Sequence, residues 1–193
     1  METGRGGLPV LDFADAEAWE KWLAAQGGTA AGLWLKIAKA GNARSSLTKA
    51  QAIDGALCHG WIDGQIDKWD DGWFLTRFTP RKRTSKWSEN NRKRAEQLAA
   101  EGRVTAAGLR EIEAAKADGR WQAAYAPAST AAEPEDLKAA LDAVPAARAF
   151  FDTLSGANRY AILYRVQTAK KPETRAARIE KFVEMCARGE TVH

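Results

Sequence analysis

The stretch Gly60 to Thr79, GWIDGQIDKWDDGWFLTRFT, constrains the fold of this chain more than any other. Two runs rich in Trp, Ile, Phe and Thr, GWIDGQID and GWFLTRFT, flank KWDD, and Asp71-Gly72 is a dipeptide that suits the tight turn of a β-hairpin. A two-residue loop there pairs Asp63 with Pro80 and Ile66 with Arg77, and puts Asp63 and Arg77 on opposite faces. One bulge reverses that relation for part of the hairpin, and both arrangements stay open at this point. A further strand precedes the hairpin. Between Gly32 and Lys39 the residues alternate, with Leu33, Leu35 and Ile37 facing one way and Trp34, Lys36 and Ala38 the other, as in a strand with one buried face.

Helix signals surround these strands. Asp15 is placed to cap a helix reaching Gly27, with Trp19, Trp22 and Leu23 on one side. Thr48-Lys-Ala-Gln51 is a capping box opening a helix that Gly60 ends, so Cys58 and His59 fall in its last turn. Ser85 or Ser88 starts another helix ending at Gly102, whose inward stripe is Trp87, Asn91, Ala95 and Leu98. Thr105 caps a helix through Leu109 and Ile112 to Gly119. Beyond APASTAAEP at 126–134 only helical patterns remain: Pro134, Pro145 and Pro172 suit first turns, and Ser155 is a cap. The expected fold is α+β, a small antiparallel sheet packed with helices and an all-helical C-terminal third. Residues 1–9 form a flexible tail, 10–125 an α+β core domain, 126–134 a linker, and 135–193 a helical segment packed on the core.

Charge is unevenly spread. Arg77 to Arg94 holds eight basic residues against Glu89 alone, a net of +7, so the rest of a chain totalling +4 sums to −3. One strongly basic patch on a mildly acidic protein points to a local anion site. Two distant cysteines, Cys58 and Cys186, are neither a disulfide framework nor a zinc pattern, and no nucleotide-binding or hydrolase motif occurs. No apolar run nears the roughly 20 residues of a membrane span, and the first residues lack a signal-peptide core, so membrane insertion is not expected and the cytoplasm is the expected compartment.

Candidate site residues cluster around the hairpin. Trp34 and Trp61 lie on strands opposite the obvious apolar face, and with Trp87 they offer stacking surfaces if they are not simply core. Asp63 either pairs with Lys36, Arg77 or Arg81, or is a solvated strand carboxylate. Asn91, polar on a buried stripe, either holds the preceding loop or faces a ligand. Arg81, Lys82, Arg83 and Ser85 lead into a helix N-terminus, where backbone N–H groups and guanidinium forks favour an anion. Duplex nucleic acid is an alternative partner, although Arg92, Lys93 and Arg94 fan over about 200° of helix. Cys58–His59 as nucleophile and base lacks a third member, and Asp63, Asp67, Asp70 and Asp71 do not make a calcium loop, so no metal or cofactor is expected.

Five motifs, ALCHGWIDG, RFTPRK, SKWSENN, EGRVTAAG and AKKPETRAARI, occur in this order, and with them the chain resembles the bacteriocin-protection, YdeI/OmpD-associated family from the Trp19–Trp22 helix to the last helix. The resemblance implies a frataxin-related (YjbR/CyaY-like) α+β fold, a role in protection from bacteriocins, and no established enzymatic activity or cofactor. The matching positions are Cys58, Gly60, Trp61, Asp63, Gly64, Arg77, Pro80, Arg81, Ser85, Trp87, Ser88 and Asn91, then Ala169, Lys170, Glu173, Thr174, Arg175 and Arg178. The combined expectation is a non-enzymatic stress or bacteriocin-protection protein. It binds a small anionic or aromatic ligand, or an acidic protein partner, through Trp34, Lys36, Trp61, Asp63, Arg77, Arg81, Ser85, Trp87 and Asn91.

Overall fold

Local signals set most element ends. Asp15 accepts a hydrogen bond from the Ala18 N–H (2.9 Å) and caps α1, Ala16–Gln26. Thr48 and Gln51 form the reciprocal capping box of α2, Lys49–Cys58. Gly60, at φ +74°, turns the chain out of α2 in a conformation that a side chain strains. The computed structural model describes residues 2–42 and 47–193. They group into two units: the first runs to Trp87 and resumes over Asn91–Ala123, and the second takes Ser88–Asn90 and Ala124–His193.

The first unit is built on a sheet of β1 (Val10–Leu11), β2 (Leu33–Ala38), β3 (Trp61–Lys68) and β4 (Trp73–Pro80), in the order β1-β2-β4-β3. β2, β4 and β3 are antiparallel, but β1 runs parallel to β2 through Val10↔Trp34 and Leu11↔Leu35, so the sheet is mixed rather than wholly antiparallel. One face carries Leu33, Leu35, Ile37, Phe78 and Trp61 and packs with Trp19, Leu23, Ala52 and Ala56 of α1 and α2. Trp19, Trp22 and Trp61 meet edge-on or stacked, with centroids 5.6–6.3 Å apart.

The other face, expected to be open, is covered. Where the sequence suggested a loose tail, residues 2–9 fold back: Gly4 N–H donates to Leu8 O (2.8 Å), and the Trp34 indole N–H donates to Arg5 O (2.9 Å). A Cβ on Gly4 would come within 2.4 Å of the Trp34 ring, so only glycine lets the backbone lie that close. Val10, Trp34 and Leu75 form a second apolar cluster there. Trp34 is buried because this N-terminal hook is long enough to roof it.

α3 (Glu89–Ala100) and α4 (Ala106–Ala117) follow. Thr105 caps α4, and its hydroxyl also donates to the Cys58 carbonyl (2.8 Å). Gly108 has no room for a side chain, since a Cβ would meet that carbonyl at 2.4 Å; this close approach joins α4 to the end of α2.

The second unit is helical: α5 (Glu135–Asp142), α6 (Pro145–Thr153), α7 (Gly156–Gln167) and α8 (Pro172–Ala187). Pro145 and Pro172 occupy first-turn positions and Ser155 caps α7, whereas Pro134 is the residue before α5 rather than within its first turn. Leu137, Leu141, Phe151, Ile162, Val166, Phe182 and Cys186 make the core. The stretch expected as a linker is fastened within this unit. Ala126 O accepts from the Tyr160 hydroxyl (2.9 Å), and Glu133 binds Arg148 (2.6 Å) and Arg159 (3.2 Å).

Candidate functional site

The nine residues expected to line one hollow fall into three groups. The hairpin register explains why. β3 and β4 pair as Trp61↔Pro80, Ile62↔Thr79 and Asp63↔Phe78, shifted by two residues from the two-residue-loop register, and resume as Ile66↔Thr76 after a bulge between Asp63 and Ile66. Asp63 therefore shares the helix-covered face with Trp61 and Phe78. Arg77 lies opposite, across from Trp34, with its guanidinium against Gly64: a Cβ there would be 3.4 Å from Arg77 Nε. The bulge also turns Asp67 to the Arg77 side, where it pairs with Arg5 (3.0 Å).

The first group is Trp61, Asp63 and Asn91. Trp61 is 1% exposed, with its indole N–H donating to Gly27 O (3.2 Å) and its ring enclosed by Trp19 and Trp22, so it offers no face to a ligand. Asn91 Nδ2 donates to Asp63 Oδ1 at 3.4 Å. The second group is Trp34, Lys36 and Arg77. Trp34 is equally closed, and Lys36 Nζ sits 5.1 Å from the ring centres of both Trp69 and Trp73, a cation–π pair internal to the sheet.

The third group is Arg81, Ser85 and Trp87, on the loop after β4. Arg81 N–H donates to Gly60 O (2.9 Å), anchoring the loop at the end of α2. Ser85 does not cap α3; its hydroxyl accepts from Lys82 N–H (2.9 Å) and closes the loop on itself. The Arg81 guanidinium carbon lies 3.5 Å over the Trp87 ring, and Nη1 donates to Lys86 O (3.3 Å). Trp87 also meets Trp121 edge-on, with centroids 4.7 Å apart.

Two further arginines converge here. Arg120, 6% exposed, donates from Nη1 to Ser85 O (3.0 Å) and from Nε to both Asp118 oxygens (2.8 and 2.9 Å). Arg92 Nη1 donates to Trp121 O (3.3 Å). Of these, Arg120 pairs with the Asp118 carboxylate, and three buried donors, Trp87 Nε1, Arg120 Nη2 and Arg92 Nε, find no acceptor among the described residues. Sequence reasoning missed Arg120, Trp121 and the part played by Arg92. Arg120-Trp121, just after the end of α4, repeats the arginine-with-tryptophan chemistry of Arg81 and Trp87, which was the available signal.

Other chemistry has less support. Burial pushes the Cys58 thiol up to about 11 and moves His59 below its ordinary value, the opposite of an activated thiolate–imidazolium pair. Among the described residues no three His, Cys, Asp or Glu side chains gather as metal ligands. Of the eight basic residues in 77–94, Arg94 is held by Asp54 (2.6 and 2.7 Å), Arg81 and Arg92 bond internally and Arg77 is half-buried against Gly64, which leaves Lys82, Arg83, Lys86 and Lys93 as the exposed ones. The first N–H of α3, that of Glu89, is taken by Tyr125 O (2.9 Å). Among the described residues no helix is long and apolar enough to cross a membrane.

Comparison with known proteins assigns the two halves of the chain differently. Residues 130–189 match the family described as "Bacteriocin-protection, YdeI or OmpD-Associated". AKKPETRAARI lies in that match, whereas the other four motifs lie within 11–111, which matches a domain of unknown function, DUF8412. The bacteriocin-protection resemblance is thus supported over the C-terminal helices rather than along nearly the whole chain. No curated protein and no solved structure matches. With just over half its residues in that N-terminal match, this chain belongs to the DUF8412 family.

Proposed function

We propose that this chain is a non-enzymatic binding protein of the bacteriocin-protection type. In this reading its first unit takes a small anion, a carboxylate or phosphate group, at the Arg81–Trp87–Arg120 cluster. The carrying observation is the set of buried donors left without an acceptor, Trp87 Nε1, Arg120 Nη2 and Arg92 Nε, gathered around one tryptophan pair. A buried cation lacking full compensation costs several kcal/mol, and an incoming anion that accepts from these donors offsets that cost. Guanidinium forks suit carboxylate and phosphate oxygens. An anionic ligand fits better than a flat aromatic one, because Trp34 and Trp61 are enclosed and the Trp87 face is already occupied by Arg81.

Thermal unfolding with inorganic phosphate, pyrophosphate or acetate, against chloride at equal ionic strength, tests this. A specific anion stabilises by RT ln(1 + [L]/Kd), so the Tm should rise with concentration beyond the chloride control. Arg120→Met, which keeps bulk without charge, should abolish the rise. An equal rise in chloride, or one that survives both Arg120→Met and Arg81→Met, would remove the anion from the proposal.

A further inference from the structure

The second unit carries a separate surface. A shallow, open groove of about 700 Å³ lies along α8 and reaches Ala140 of α5, lined by Ala176, Ala177, Ile179 and Val183 and by Glu173, Glu180 and Glu184. At 100° per residue, Glu173, Glu180 and Glu184 fall within about 40° of one another on α8, a ridge roughly 16 Å long beside the apolar floor. No basic side chain lines it. Among the described residues Glu173 and Glu180 make no ion pair, and Glu184 has only the exposed Arg188 at 3.9 Å, a contact worth little. Of the cations on the same helix, Arg175 bonds Asp136 and Val166 O, Arg178 bonds Arg165 O, and Lys181, though exposed, lies about 60–100° around the helix from the three glutamates.

From this complementarity we infer that the groove docks one basic amphipathic helix of a partner protein. The alanines at 140, 176 and 177 allow close approach of the partner's backbone and meet its apolar stripe, over a base closed by Ile179 and Val183, each 9% exposed. Three turns of partner helix cover the length of the ridge. The glutamate spacing, one heptad and then four residues, calls for Lys or Arg on one edge of that helix at matching intervals. This surface is independent of the anion cluster, so either can fail alone.

The test uses the full chain and a labelled 18-residue Leu/Lys peptide of heptad pattern, with its Leu/Glu counterpart as control, followed by fluorescence anisotropy. The Leu/Lys peptide should bind, more weakly as salt rises, and the Leu/Glu peptide should not. Glu180→Lys with Glu184→Lys should weaken binding at least about tenfold at low salt. Ala176→Gln, which fills the floor without changing charge, should weaken it several-fold. Glu96→Lys with Glu113→Lys makes the same charge change at a smaller groove of about 250 Å³ between α3 and α4, and should leave the affinity within about twofold. Equal binding of both peptides overturns the inference, as does a larger loss from the Glu96/Glu113 pair than from the Glu180/Glu184 pair. Sedimentation showing a dimer that Ala176→Gln dissociates would place a second copy in the groove and overturn it too.

Discussion

The two units treat arginine differently. In the second, three half-buried arginines are matched by carboxylates: Arg148 binds Glu133 and Asp152, Arg159 binds Glu133, and Arg175 binds Asp136 through two nitrogens. In the first, Arg94 and Asp54 form the same kind of fork, but around Trp87 the buried donors Trp87 Nε1, Arg120 Nη2 and Arg92 Nε lack acceptors among the described residues. Matched arginines explain themselves as architecture. Under the anion proposal, the donors left over around Trp87 are the ones a ligand would satisfy.

Breaking a matched site should have the largest effect. Glu133 is 14% exposed and serves two arginines, so Glu133→Ala leaves both short of an acceptor. A loss of about 2–3 kcal/mol is expected, discounted from the fully buried case because Arg148 and Arg159 keep some solvent. The cysteines report where the loss falls, since Cys186 belongs to the second unit, Cys58 to the first, and both are buried. Thiol labelling under native conditions should accelerate at Cys186 by about thirtyfold or more, the factor equivalent to about 2 kcal/mol. Unchanged labelling of Cys186 would end the claim that these pairs hold the second unit.

Acid should act on the same unit. Hydrogen bonds from Arg175 hold the Asp136 carboxyl below its ordinary range, and those from Arg148 do so for Asp152. A carboxylate with a lowered folded-state pKa contributes stability above its unfolded value, and that stability drains away as pH falls through the folded one. The second unit should therefore keep these contributions down to about pH 4 and lose them below it. Amide exchange of α5 and α6 across that window measures it; protection that declines already between pH 7 and pH 5 would contradict the assignment.

What the sequence revealed follows the same division between local and non-local causes. Asp15, the Thr48/Gln51 box, Thr105, Ser155 and Pro172 act within one turn, and each helix end they announce is present. The alternation of β2 identified its faces but not the cover on the second, because residues 2–9 carry no periodic pattern and their fit depends on one glycine beneath Trp34. The hairpin register was not legible, since the bulge next to Gly64 falls after Asp63: it turns Asp67 rather than Asp63 to the Arg77 side, so Asp63 and Arg77 keep opposite faces and the nine residues do not share one site. Arg81 and Trp87 were legible as charge and aromatic at a loop. Arg120 was not, since its partner Ser85 is 35 residues away in sequence and only the folded chain brings the two together.

The smallest effect is the sharpest test of the comparison. If Arg120 were an architectural arginine like Arg148, Arg120→Met would cost stability, because a salt bridge to Asp118 and a bond to Ser85 O would be lost. If Arg120 is held at an energetic deficit awaiting an anion, removing its charge relieves desolvation as fast as it removes bonds, and Asp118, 39% exposed, can return to water. Replacing buried ionic groups with apolar side chains of similar volume is often neutral or stabilising by about 1–4 kcal/mol; with the Ser85 bond also lost, a change between zero and about 1 kcal/mol of stabilisation is expected in anion-free buffer. Urea unfolding followed by tryptophan fluorescence reads it cleanly, as all eight tryptophans lie in the first unit. A destabilisation above about 1.5 kcal/mol would make Arg120 the equivalent of Arg148 and erase the difference between the two units.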